Sequence, residues 1–341
     1  MSLDIWPPVP AAELKIKETE TQEEEPSAMT RRSKMLIDLK ARELQWIINE
    51  TVQVCKDLKH GLEDCYALLA PIDPGSTLVV STPRNEKVKG TITRVGTRIV
   101  KGTLNLQLRT VPPQTVSLAS HAIHIQALDA LHTNLTQSLD LLGIILSRDA
   151  PPDPDSLAQS LALLSESLSE SAALLKGPPR ATPDPSWQTS SCPPDLFSPA
   201  LGPNISVYIG LQDSCVVLVI RALEPVHASF HLGTRLGLAI GTVRRLEHDE
   251  MDTIFRWNPA GIETADPRRP GTRHSLTRPS SRHTDEQPPG DLEEVYVREK
   301  IRVESADPSL ISLYSKLGFL SHMLGQTRRN LAAVMRTDLD E

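Results

Sequence analysis

Aromatic residues are scarce in this chain. Phe, Trp and Tyr make up 4% of 341 residues, so any core has to be built mainly from aliphatic side chains. Cysteine is nearly as rare, with four scattered copies. Cys55 and Cys65 fall on one expected helix, ten residues apart, which is roughly 15 Å of axial rise. That is too far for a disulfide, and the sparse cysteines suit a reducing, intracellular setting. There is no basic excess: 36 Lys and Arg stand against 43 Asp and Glu, a net charge of -7. A nucleic-acid footprint is therefore not expected. No apolar run reaches membrane-spanning length, and the N-terminus lacks a signal-peptide pattern. The phosphate-binding patterns G-x-x-x-x-G-K-[ST] and G-x-G-x-x-G are absent, as is the G-x-S-x-G nucleophile turn, and no cysteine pair has zinc-ligand spacing. The expectation is a protein with no catalytic residues, cofactor or metal.

What the chain does have is leucine at helical spacing. Leu310, Leu313, Leu317, Leu320, Leu324, Leu331 and Val334 step by threes and fours, with Thr327 filling the one gap. They trace a single helix face, while Ser312, Lys316, Gln326, Arg329 and Asn330 lie opposite. Asp307 reads as the N-cap and Pro308 as the first helical residue. Three earlier stretches repeat the pattern. From about Thr30 to Leu69 the stripe is Leu36, Leu39, Ile47, Val54, Leu58, Cys65 and Leu69, widened by Trp46 and Leu62. Gly61 is its weak point, at a cost of about 1 kcal/mol relative to alanine. From His121 to Ser147 the stripe is Leu128, Leu131, Leu135, Leu139, Leu142 and Leu146, and from Ser156 to Lys176 it is Leu157, Leu161, Leu164, Leu168 and Leu175. His121 and His124 share a face, but two histidines without a third ligand are more often polar surface than a metal site. Ser165, Ser167, Ser169 and Ser171 read as small polar flank residues rather than as modification sites.

Between the helices the period changes to two. Thr77–Ser81, Val88–Val95 and Arg98–Leu108 read as strands, with Gly96 as a hairpin turn. A second block holds Ile205–Ile209, Ser214–Leu223, Leu236–Leu246, Met251–Trp257 and Glu293–Val303. Val216–Ile220 is apolar throughout, as in a central strand buried on both faces. Proline and charge mark the rest as connectors: an acidic tail over 1–28, a linker over 178–195, and an insertion over 266–289 with almost no apolar residue.

These elements predict an α+β fold. Residues 30–70, 121–148, 156–176 and 308–337 would form an antiparallel four-helix bundle with leucine seams. Residues 76–118 and 197–304 would combine into one separate, mostly antiparallel β domain, giving an elongated two-lobed molecule. Phe255 and Trp257 share one face of a strand, and a partner-binding role is weighed against the blander one of core filling.

Several stretches, taken in order, resemble a known family. Glu43-Leu44-Gln45-Trp46-Ile47-Ile48-Asn49-Glu50-Thr51-Val52 is similar to the opening helix of the Rogdi family, the leucine-zipper-containing proteins. Val88-Lys89-Gly90 with the strand Lys101–Leu108 looks like its first sheet segment, and Phe197-Ser198-Pro199-Ala200-Leu201 with Asn204–Leu223 like its central strands. Phe255-Arg256-Trp257 and the final helix match in place and order. The proline-rich and insertion segments look like a fungal version.

The resemblance implies a helical bundle with a β domain and no catalytic residues. It also implies a role as the second subunit of the RAVE complex, which helps the peripheral catalytic sector of the vacuolar proton-pumping ATPase rejoin its membrane sector. The implied partners are a large RAVE scaffold subunit and, through it, that peripheral sector. The implied address is the cytoplasm, with recruitment to vacuolar and endosomal membranes. The competing expectation is an independent leucine-zipper dimerising or scaffold protein with a nuclear address. A parallel zipper needs one long uninterrupted heptad helix, whereas here four seams are separated by strands and prolines.

Overall fold

The computed structural model describes residues 11–70, 72–119, 121–147, 152–179, 186–226, 248–251, 253–258 and 293–335, with only the backbone for 11–30 and 85. The expected strand at Leu236–Leu246 and the insertion over 266–289 lie outside these residues, as do the first ten residues of the acidic tail and 180–185 of the linker.

The first helix, α1, runs Ala11–Leu68. It begins upstream of Thr30 because residues 11–28 are rich in Ala, Glu and Lys, all strong helix formers. Its buried face is Ile47, Ile48, Thr51, Cys55, Leu58, Leu62 and Cys65, followed by Leu69 just beyond the helix end. Val54 is only half-buried, one position off that stripe. Gly61 is no defect. A Cβ there would lie 2.5 Å from a Leu320 methyl, so the glycine makes room for a buried leucine.

α2 spans Gln126–Leu146 and α3 spans Pro154–Lys176. The Asp153 carboxylate accepts the Ser156 N–H at 3.0 Å and caps α3. Gly177, at φ 72°, ends it in the left-handed conformation that favours glycine. Leu128, Leu131, Leu135 and Leu142 on α2 are fully buried, as are Leu157, Leu161, Leu164, Leu168 and Leu175 on α3. The serines among them are partly internal. Ser171 is buried and donates to the Ser167 carbonyl, and the Ser167 and Ser138 hydroxyls lie 2.9 Å apart.

The strands form two antiparallel sheets rather than one. The first contains β1 (Ser76–Ser81), β2 (Val88–Val95), β3 (Arg98–Leu106), β4 (Gln114–Leu118), β5 (Ile123–His124) and β6 (Phe197–Ser198). Its order is β1-β2-β3-β4-β6, with β5 on β3. Gly96, at φ 62°, makes the β2–β3 turn. The second sheet holds β7 (Ile205–Gln212), β8 (Cys215–Pro225), β9 (Ile254–Trp257) and β10 (Glu293–Ala306), ordered β7-β8-β10-β9. β8 lies between β7 and β10, and every residue from Val216 to Leu223 is buried, as the apolar run Val216–Ile220 requires of a central strand.

A bulge at Val297–Glu299 decides which way β10 points its side chains. Before it, Val297 pairs with Leu223; after it, Lys300 pairs with Arg221 and Arg302 with Val219. The extra residue moves the odd-numbered positions to the other face. Glu299 is thereby buried toward the first sheet. It accepts the Arg109 N–H at 2.8 Å and pairs with Lys87 at 2.9 Å. A second tie runs from Arg94 of β2 to Asp307, whose side chains are 3% and 0% exposed and 2.6 Å apart. Asp307 also accepts the Ser309 N–H at 2.9 Å. It is thus the N-cap of the last helix, α5, Pro308–Met335, whose Leu310, Leu313, Leu317, Leu320, Leu324 and Leu331 are buried.

The expected four-helix bundle is not formed. The fold is α+β, but its four long helices come close to one another backbone to backbone only at isolated points, and the extensive pairings are between strands. α1, at about 87 Å for its 58 residues, is roughly twice as long as any helix that could accompany it. Its Leu36 and Leu39 are 57% and 61% exposed. Nor do the helices make a lobe apart from the sheets. One compact unit is Met1–His60, Asp140–Ser165 and Ser321–Glu341; the other is Gly61–Leu139 and Glu166–Leu320, and it contains both sheets with parts of all four long helices. A leucine seam establishes that a helix has one covered face, and not what covers it.

Candidate functional site

The second sheet holds a buried charge inside its most apolar strand. Arg221 interrupts the apolar run of β8, and its side chain is 4% exposed. An isolated guanidinium at such a place would be prohibitive, so partners are required. Glu250 supplies a two-pronged one, accepting from Nε at 2.7 Å and from Nη2 at 2.8 Å. Lys300, placed opposite Arg221 by the bulge, reaches Glu250 and Asp249, each at 2.7 Å. His248 completes the corner. Its Nδ1 accepts from the Glu250 N–H at 3.2 Å, so Nε2 carries the proton and donates to the Val297 carbonyl at 3.1 Å.

The indole of Trp187, on the short helix α4 (Trp187–Ser190), lies under the guanidinium, with Arg221 Cζ 4.5 Å from the ring centre. Trp187 also packs edge-on against Phe255 at 5.1 Å and tilted against Trp257 at 5.7 Å. Leu223, Val295 and Val297 close that cluster. Beside it opens a cleft of about 440 Å³, floored by Val217 and Val219 and edged by Tyr208, Gln212, Arg302 and Glu304.

Burial by itself would raise the Glu250 carboxyl, but the hydrogen bonds and charges of Arg221 and Lys300 outweigh it and hold it below the ordinary 4.5. Asp249 is held below its ordinary 3.8, where the pull of Lys300 again exceeds desolvation. A carboxyl depressed on folding contributes stability that is fully present above its unfolded value and lost as the pH falls through its folded one. Glu250→Gln should therefore melt lower at neutral pH, by about 2–3 kcal/mol, and should lose less than the parent on acidification below about pH 4.5. Parallel acid-loss curves for the two proteins in thermal melts would show that Glu250 is not the titrating group.

Phe255 and Trp257, the candidate partner contacts, are 8% and 5% exposed. They fill the core of the second sheet and offer no surface to a partner. Trp187 sits in a stretch that reads as a linker, yet it is among the largest fully buried side chains. The charge inside the β8 run was the available signal for an internal ion pair; the identity of Glu250 as its partner had none. His124 pairs with Asp129 at 3.0 Å, and among the described residues no group of three His, Cys, Asp or Glu side chains could hold a metal. None of the four cysteines is in a disulfide. Burial pushes the thiols of Cys55 and Cys65 up to about 11 and that of Cys192 to about 12, so they stay protonated and poorly nucleophilic at neutral pH.

Exposed apolar side chains concentrate elsewhere, on α1. Met35, Leu36, Ile37, Leu39 and Trp46 are 57–75% exposed within a dozen residues, in a segment also carrying Arg31, Arg32, Lys34, Lys40 and Arg42. No helix among the described residues is long and apolar enough to cross a membrane.

These features define an α+β protein whose buried charges are paired with one another and whose densest group of exposed apolar side chains lies on one long helix. The chain belongs to the family described as Rogdi leucine zipper containing protein, which matches residues 43–332. No curated protein matches it.

Proposed function

We propose that this chain is a non-enzymatic assembly subunit, the fungal counterpart of Rogdi that serves as second subunit of the RAVE complex. In that role it binds the large scaffold subunit and, through it, the peripheral sector of the vacuolar proton-pumping ATPase. It promotes reassembly of the pump and hence acidification of the vacuole. It works from the cytoplasm, meets vacuolar and endosomal membranes only indirectly, and binds no nucleic acid. The observation that carries the reading is family membership over residues 43–332. The exposed apolar residues of α1 are in keeping with it, since such patches commonly mark protein–protein contact. An assembly factor changes how readily two sectors meet in a productive orientation and adds nothing to the pump's rotary chemistry.

The test is fractionation of cells lacking the protein, taken through glucose depletion and restoration. Return of the catalytic sector to the membrane should be slowed or incomplete, with pump subunits still made at normal levels. Return at the normal rate and extent would refute the reading and favour an independent dimeriser.

A further inference from the structure

α1 carries two apolar stripes. Ile47, Thr51, Cys55, Leu58 and Leu62 are buried against the fold. Met35, Leu39 and Trp46 step by four and seven along another side, with Arg42 at the intervening turn, and all four are exposed. At 3.6 residues per turn the two stripes point roughly 140° apart. The second cannot be an extension of the first seam, because the helix would have to turn over between Trp46 and Ile47 to bury both.

Charge says what kind of surface could cover it. From Arg31 to Glu43 five cations stand against two carboxylates, Asp38 and Glu43, a net of +3 in a chain whose total is -7. A second copy laid stripe on stripe, in either direction, brings Arg42 near its own counterpart, a like-charge contact that opposes pairing. A bilayer surface takes one face of a helix. Here Leu36 flanks the stripe and Ile37 lies on the far side, both exposed, so apolar groups surround the helix at this level. A protein groove can enclose them.

We infer that Met35, Leu39 and Trp46, with the cations around them, form the docking surface for an amphipathic helical segment of another protein whose flanks are acidic. Resting on the assembly reading above, that segment belongs to the large scaffold subunit. Leucine-type residues at three-four spacing would meet the stripe and Leu36 beside it, further apolar side chains of the same partner would close over Ile37, and its Glu and Asp would meet Arg31, Arg32 and Arg42, the cations that flank the stripe. Trp46, one turn from Arg42, is the anchor, since tryptophan and arginine are enriched in interface hot spots.

The full-length chain is expressed in the cells that naturally make it, with a photoreactive residue at position 35, 39 or 46, or at Lys89, exposed on β2, as control. The three stripe positions should crosslink to one other protein, through a peptide of net negative charge and three-four apolar spacing, and the control should not. The triple variant Met35→Ser, Leu39→Ser, Trp46→Ser should lower the recovered partner about tenfold or more while melting like the parent, because none of the three is buried. Adducts with a second copy, or no protein adduct with stripe-dependent sedimentation on phosphatidylserine vesicles, would overturn the inference. Equal recovery of the scaffold by parent and triple variant would also overturn it, while leaving the assembly reading standing. Crosslinks to an acidic helix of a protein other than the scaffold would uphold the docking surface and count against the assembly reading.

Discussion

Leu317→Asp is expected to abolish soluble folded protein. Leu317 has no exposed surface, and it sits on α5 between Leu313 and Leu320, which are also buried. Its neighbour Lys316 reaches Asp64 of α1 at 2.8 Å, and Leu320 packs over Gly61, so this part of α5 lies against α1. The substitution removes about 1.5–3 kcal/mol of leucine burial and puts an unpaired carboxylate in its place. Together these amount to something on the order of 5 kcal/mol, comparable with the whole stability of an ordinary domain. Leu317→Met keeps the volume and should cost less than about 1.5 kcal/mol, so the pair separates charge from shape. Thermal melts followed by circular dichroism give the readout. An aspartate variant that melts with the parent would mean this face is not covered in solution.

Asp307→Ala should come second, at about 4 kcal/mol or more. Asp307 does two things with one carboxylate: it neutralises buried Arg94 and caps α5 through the Ser309 N–H. Removing it leaves the guanidinium with the Gly96 carbonyl, 2.5 Å from Nη1, as its remaining acceptor. Losing one partner of a buried pair costs roughly 3–5 kcal/mol, and losing an N-cap about 1 kcal/mol. Asp307→Asn retains an oxygen able to cap and should recover the smaller part only. Replacing Arg94 by Met in the alanine variant should recover the larger part, because it removes the stranded charge. Urea midpoints of the four proteins test this. If Arg94→Met added to Asp307→Ala lowered the midpoint further, the stranded-charge account would be wrong.

The elements were legible because their signals are local. The β2 span Val88–Val95 follows from alternation, the β2–β3 turn from Gly96, the α5 start from Asp307-Pro308-Ser309, and the buried faces of α2, α3 and α5 from leucine spacing. The stripe of α1 was read less well. Leu36 and Leu39 carry the same spacing as Leu58, yet they are exposed, because periodicity reports an apolar face whether it is buried or waiting for a partner. The bundle was inferred from seams alike in kind, but likeness of seams holds no information about which helix meets which.

The candidate site was legible only in half. Arg221 announces itself as a charge inside an apolar strand; Glu250 reaches it from about thirty residues downstream, and Lys300, about eighty downstream, reaches Glu250. Phe255 and Trp257 have an interface composition, and Trp187 arrives from a supposed linker to bury them both.

The sequence by itself determined where helices and strands lie, where they start and stop, and that the core is aliphatic, since each depends on neighbours within a turn or a pleat. Only the tertiary structure decided the partition into two sheets, the bulge that turns Glu299 one way and Lys300 the other, the pairings of Arg94 with Asp307 and Arg221 with Glu250, and the division of α1 into covered and exposed stretches. Those are contacts between residues distant in the chain, selected by the burial of charge and apolar surface against whatever the folded chain brings alongside, and no local period records them.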